Sequence, residues 1–249
     1  MFLMPPEYRY PPTVTLPIFR DLLLGRRRSF VRDATALAQG VQRLRIIGNI
    51  PLEVEPLLFL VNHYSRPGFQ AWWTAIALGS AAGREMHWPV TSAWTFPDPL
   101  RSHLITPLSE WVLARFAHMY GLTLMPPIPP RPQDLAARAD AVRRILRVAR
   151  VSRPPMAMAP EGMDSPDGRL MRPPAGAGRL IAHLIDGGYT LVPVGAFEEG
   201  DIFCLNIGRP FRPQKSGARE PEVRDRAIAD AVMLSISALL PEQLRGVYR

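Results

Sequence analysis

Lysine is nearly missing from this chain: Lys215 is the only one, although lysine and arginine together number 30. The formal charge of +8 is therefore carried by arginine, whose rigid fork favours bidentate contacts with phosphate and carboxylate. Phospholipid headgroups and phosphorylated cofactors are thus admissible partners. An arginine-rich codon bias would leave the same composition. Cysteine is equally scarce. Cys204 stands alone, which excludes an internal disulfide framework and a cysteine-based metal site. Long apolar runs are lacking too. The longest uncharged stretch, 67–83, is interrupted by Gln70, Thr74, Ser80 and three glycines. A spanning helix needs ~20 predominantly apolar residues, so this stretch predicts a buried core helix. The opening residues hold too many prolines for a signal peptide. There is no phosphate-binding P-loop and no GxGxxG fingerprint, and the arginines are interleaved with too few aromatics for a nucleic-acid module. His87, His103, His118 and His183 show no metal-ligand spacing, so no bound metal or cofactor is expected.

What is present is enough apolar residue, 47% of 249, to bury one core. Residues 1–42 divide into a proline-rich arm (1–15) and an amphipathic helical stretch from Pro17 to Gln42. The cluster Arg26-Arg27-Arg28 beside Gly25 interrupts that stretch. Such a helix packs on its own domain or lies in a membrane interface. Residues 43–249 form the main α/β domain. Short aliphatic runs at Leu44–Ile47, Leu57–Val61, Met86–Thr91, Met156–Met158, Thr190–Val194 and Phe203–Ile207 predict strands. Apolar spacing of three to four predicts helices at Leu108–Tyr120, Asp134–Val148, Leu180–Ile185 and Glu222–Leu240. Residues 94–107 are expected to be a proline-containing loop, and Met125–Pro130 an extended connection. Strands alternating with helices imply a mixed, mostly parallel sheet flanked by helices. The five tryptophans, Trp72, Trp73, Trp88, Trp94 and Trp111, cluster in the first half and are expected mostly in the core.

The second strand ends in Asn62-His63, followed by Ser65, Arg66 and Pro67. Polar residues closing an apolar strand before a helix mark the crevice where open α/β sheets place their sites. The segments GNIPLEVEPLLFLVNHYSRPG, APEGMDS, PPAGAGRLIAHL, LVPVGAFEEGD and NIGRPFRP follow in that order between Leu44 and Pro213. Together they resemble the PlsC-type glycerolipid acyltransferase family. The resemblance implies a glycerol-3-phosphate acyltransferase-like fold and a histidine that acts as general base on an acceptor hydroxyl. The acyl donor it implies is a thioester, acyl-CoA or acyl carrier protein.

The family pattern is Asn-His, four residues, then an aspartate that orients the imidazole. Asn62 and His63 match, but the aspartate position holds Gly68. Asp164 is the first candidate for a replacement orienting carboxylate, with Glu161 and Asp167 as alternatives. The family's Phe-Pro-Glu-Gly-Thr-Arg-Ser loop is similar to Ala159–Ser165, where Pro160, Glu161, Gly162 and Ser165 are kept and Asp164 replaces the arginine. The arginine of another family block is also missing from Gly121–Pro127, although Arg131 lies nearby. An ordinary lysophosphatidic acid is therefore not the expected acceptor. Gly176-Ala177-Gly178-Arg179 resembles the family's glycine-basic segment. Its amides either receive an anion at a helix N-terminus or form a tight helix start with Arg179 solvated.

The resemblance thus implies a divergent O-acyltransferase acting on a lipid or lipid-like hydroxyl, with His63 as base. Asn62 and Ser65 are supports, and Arg66, Pro160, Glu161, Gly162, Ser165, Gly176 and Arg179 are substrate contacts. An anionic membrane surface is the expected partner, which places the protein in the cytoplasm, peripheral on the inner face of the cell membrane. The alternatives are a catalytically silent relative that binds lipid or acyl chains, and an interaction module that holds a lipid-synthesis enzyme at the membrane.

Overall fold

Leu57–Val61 places five apolar residues in succession, and the strand they form, β2, is buried throughout. That pattern belongs to parallel strands covered on both faces. In a computed structural model, which describes residues 5–51, 53–54, 56–128, 134–213 and 218–249, the neighbours of β2 are β5 (Met156–Met158) and β6 (Thr190–Glu199), both parallel to it. β6 pairs antiparallel with β7 (Ile202–Ile207), and β7 pairs parallel with β1 (Leu44–Ile47), so the order is β1-β7-β6-β2-β5. The sheet is mixed and mostly parallel, and helices flank it. β3 (Pro89–Thr91) leaves this sheet and pairs with β4 (Thr123–Met125), a strand the periodicity does not reveal. The expected strand from Met86 is thereby split: His87 bridges to Met156 of the main sheet, and Pro89–Thr91 form the second one. Arg131, Lys215 and the last residues of the Met125–Pro130 connection lie outside the described residues.

The helices are α1 (Pro12–Leu23), α2 (Phe30–Ala38), α3 (Trp72–Ala82), α4 (Pro99–Tyr120), α5 (Leu135–Val151), α6 (Ala177–Asp186) and α7 (Pro221–Ser237). α3 is apolar on nearly every face and accordingly lies within the core, as a helix without a polar side must. No helix among the described residues is long and apolar enough to cross a membrane.

Two boundaries depart from the pattern reading. α1 begins at Pro12, inside the expected irregular arm, because Pro12 at its first turn needs no amide donor there. α4 begins at Pro99, inside the expected loop. Asp98 caps it by accepting the Arg101 amide at 2.9 Å, and Pro107 is carried within the helix. The segment before α4 folds back on it, since Ser109 Oγ accepts the Trp94 amide and Thr106 Oγ donates to the Trp94 carbonyl, both at 2.9 Å. Trp73 and Trp88 are in the core, whereas Trp72, Trp94 and Trp111 remain exposed.

The amino-terminal arm is tied to the body. Tyr8 bridges Val41, and its ring packs against Phe69, Trp73 and Phe203. Of the arginine cluster, Arg28 is turned inward between Asp21 and Asp33, while Arg26 and Arg27 stay at the surface. A buried cation flanked by two carboxylates meets the condition under which a buried charge is tolerated.

α6 and α7 approach closely through Gly178, where a Cβ would lie 2.0 Å from the Asp225 carbonyl oxygen. Backbone cannot yield as a side chain does, so Gly178→Ala should destabilise the protein by about 1–3 kcal/mol. Denaturant unfolding that shows unchanged stability would contradict this packing.

Candidate active site

β2 and β5 run parallel and end on the same side of the sheet, so the residues after Val61 and after Met158 meet at its carboxyl edge. Asn62 comes first. Its Nδ2 donates to the Ala196 carbonyl at 2.9 Å and its Oδ1 accepts the Ala196 amide at 2.7 Å. The side chain thus prolongs the β2–β6 ladder beyond the last paired residues, Val61 and Val194. It is buried, with its amide oxygen and one N–H spent on the Ala196 backbone. Its place is that of a clamp that sets where β2 ends.

His63 follows. Its backbone amide donates to Glu161 Oε2 at 2.6 Å, while Glu161 Oε1 accepts the Met171 amide at 2.8 Å. Glu161 is 2% exposed, and burial pushes its carboxyl above the ordinary carboxylate range, against the opposing pull of those two amides. The residue is a brace between two loops, each of its oxygens taken up by a backbone amide. Gly162 completes a turn in which its amide reaches the Ala159 carbonyl at 3.1 Å. Its φ of +71° suits glycine, and a Cβ there would strike Ile128. Pro160 is buried within this turn.

The turn delivers Asp164 to the imidazole: Asp164 Oδ1 lies 2.8 Å from His63 Nδ1. The contact is bent, since the oxygen stands off the N–H direction, and no other acceptor among the described residues reaches Nδ1. Nε2 makes no hydrogen bond with any described residue. The contact with His63 holds the Asp164 carboxyl below its usual range. Gly68, where the pattern expected the carboxylate, sits in the left-handed region at φ +82°, and a Cβ there would point toward the Arg66 guanidinium 3.5 Å away. Asp167, the other alternative, is engaged with the Ser165 hydroxyl at 2.8 Å and the Arg169 amide at 3.1 Å. Ser165 is buried by that contact.

Arg66 forms a bidentate pair with Glu198 of β6, one bond at 2.8 Å. Glu198 also accepts the hydroxyls of Tyr8, at 2.6 Å, and Tyr64, at 3.2 Å. Burial pushes the Tyr64 hydroxyl up to about 12 and that of Tyr8 higher still, so both remain donors. Glu198 and Tyr8 are the residues that pattern reading missed. A glutamate near the end of an apolar strand was the available signal, but its partners are 132 and 190 positions away. The Ser65 side chain is half-buried and its carbonyl packs on Gly168.

Gly176 and Arg179 stand apart from His63. Their amides both bond to the Asp225 carboxylate, at 2.7 and 2.6 Å, so the anion at the α6 N-terminus is supplied by the protein itself. A histidine with a carboxylate at Nδ1 and an open Nε2 can take a proton from a hydroxyl and hold it.

Acid should erode the His63–Asp164 contact in one direction. A lowered carboxyl pKa contributes stability above its ordinary value, and that contribution is lost as pH falls through the lowered one. Thermal midpoints should therefore drop less steeply on acidification in Asp164→Asn than in the wild type; parallel slopes would argue against the pairing.

No family model matches the chain, and no curated protein matches it. Among solved structures it is similar to the 1-acyl-sn-glycerophosphate (LPA) acyltransferase PlsC from Thermotoga maritima. That chain is 14% identical and superposes with a TM-score of 0.49; the alignment covers 84% of this chain and 78% of the other.

Proposed function

We propose that this protein transfers an acyl group from a thioester, acyl-CoA or acyl carrier protein, to a hydroxyl of a lipid or lipid-like acceptor. The observation that carries the reading is the Asp164 carboxylate 2.8 Å from His63 Nδ1, supplied from the neighbouring loop in place of the missing residue at Gly68. Asp164 keeps the Nδ1 proton on its own side of the ring, so Nε2 is the basic nitrogen. As the acceptor oxygen attacks the thioester carbonyl, its proton passes to His63 Nε2, and Asp164 stabilises the imidazolium. Collapse of the tetrahedral adduct breaks the carbon–sulfur bond. The leaving thiolate then takes the proton from Nε2, which returns the base to its starting state. Asn62, Glu161 and the Arg66–Glu198 pair are positioning groups for this loop.

The same reading includes attachment to an anionic membrane surface on the inner face of the cell membrane. Leu16, Phe19, Leu23 and Leu24 of the α1 region, and Leu100, Leu104, Leu108 and Trp111 of α4, are all exposed. The two helices pack together, and Arg20, Arg26, Arg27 and Arg101 are exposed on or beside them. An apolar ridge with arginines beside it matches a bilayer whose headgroups are anionic. The ridge differs from the expected membrane face, because Arg28 is turned into the protein and α4 supplies half of the apolar surface.

Three variants test the chemistry by thioester cleavage in the presence of an acceptor. His63→Ala should lower kcat by about 10²–10⁴. Asp164→Asn should lower it by less than the ~10⁴ known for a buried triad aspartate, because Asp164 is more exposed than that residue. Gly68→Asp should restore nothing, since its backbone is left-handed and the new carboxylate would meet Arg66. Equal release by wild type and His63→Ala would remove the histidine as base.

Liposome flotation tests the surface. Binding to anionic vesicles should weaken with salt and fall in Leu104→Glu/Leu108→Glu. Equal flotation of that variant would exclude the ridge.

A further inference from the structure

Below the Glu161 brace, residues 167–172 lie against the carboxyl-terminal turn. The Leu170 amide donates to the Leu244 carbonyl at 2.9 Å, and Gly246 fits closely over Leu170, where a Cβ would come within 2.1 Å of its carbonyl oxygen. The turn itself is anchored. The Ser237 hydroxyl donates to the Tyr248 carbonyl at 2.6 Å, and the Tyr248 hydroxyl donates to Asp230 at 2.8 Å. Between the two segments opens a cleft of about 510 Å³ that carries Arg169, Arg172 and Arg249, with Asp167 at its edge.

Three arginines line the cleft with a single side-chain carboxylate, Asp167, and that carboxylate is already engaged. Asp167 Oδ1 is bonded to Ser165 and to the Arg169 amide, and its other oxygen lies 3.6 Å from Arg169 Nε. Arg172 and Arg249 form no ion pair with any described residue. Their forked donors match phosphate oxygens.

The cleft is also joined to the base. Met171, one of its lining residues, and His63 donate their amides to opposite oxygens of one carboxylate, so the two nitrogens lie within about 8 Å of one another. Gly168 packs on the Ser65 carbonyl on the same side. Arg66, the cation nearest to His63 in sequence, is committed to Glu198. Arg172 and Arg249 are the cations of the cleft without an ion pair among the described residues, and Arg172 follows Met171 directly in the chain.

We propose that the Arg169–Arg172–Arg249 cleft binds a phosphate ester carried by one of the protein's substrates. The inference rests on His63 as the centre of an acyl-transfer site, but binding to the cleft is measurable without turnover. The phosphate belongs either to the coenzyme A portion of the donor or to the headgroup of the acceptor.

Titration calorimetry on the full chain with coenzyme A, pantetheine, glycerol 3-phosphate, glycerol and inorganic phosphate separates these sources. Coenzyme A or glycerol 3-phosphate should bind, and its phosphate-free counterpart should not. The arm that binds identifies donor or acceptor. Arg172→Gln/Arg249→Gln should weaken that binding about tenfold or more. Arg143→Gln/Arg147→Gln, in the separate arginine-lined groove on α5, should leave it unchanged. His63→Ala should still bind, so that loss of acyl transfer and loss of the cleft are read apart. The proposal is overturned if neither ester binds the wild type at millimolar concentration, or if the cleft variant binds as tightly as the wild type. It is overturned equally if inorganic phosphate binds as tightly as the esters.

Discussion

One buried carboxylate holds the candidate site in register. Glu161 accepts an amide from the residue that carries the base and another from the segment that runs on to the basic cleft. A carboxyl group at such depth is costly unless hydrogen bonds satisfy it, and two backbone donors do so here. Because neither donor can be removed by a side-chain change, the brace ties main chain to main chain. The turn that begins at Pro160 then has little freedom, and Asp164 is presented to His63 as a consequence.

A second buried carboxylate performs the same service on the other side. Glu198 gathers Arg66, Tyr8 and Tyr64, which joins the loop after β2 to strand β6 and to the amino-terminal arm. Asn62 adds a third tie by continuing the sheet ladder with its side chain. Two polar residues that look like chemistry in the sequence, Asn62 and Glu161, are thus occupied with holding backbone, and Arg66 with Glu198. What remains available to a substrate is narrower: the imidazole Nε2 and the exposed carboxylate beside Nδ1.

The strands were legible where aliphatic runs are bounded by glycine or proline. Leu44–Ile47, Leu57–Val61 and Met156–Met158 follow the pattern to the residue. Helix starts were legible less often. Pro107 suggested a loop up to that point, yet a single proline removes only one helical hydrogen bond, and the Asp98 cap outweighs it. Strand β4 escaped notice because three residues carry too little periodicity to distinguish a strand from the end of a helix.

At the site, Asn62-His63 and Pro160-Glu161-Gly162 are visible as motifs, and Asp164 stands in the same loop as the second. The sequence by itself determined that a base and a carboxylate-bearing turn exist, and that each follows an apolar strand, because those are local facts of residue order. Only the tertiary structure decided that β2 and β5 lie side by side, so that the two loops meet. It alone decided that the anion at the α6 N-terminus is Asp225, from a helix that begins more than 40 residues later. Carboxylates find partners by distance in space, and distance in space is set by strand order and helix packing, which no local pattern of residues contains.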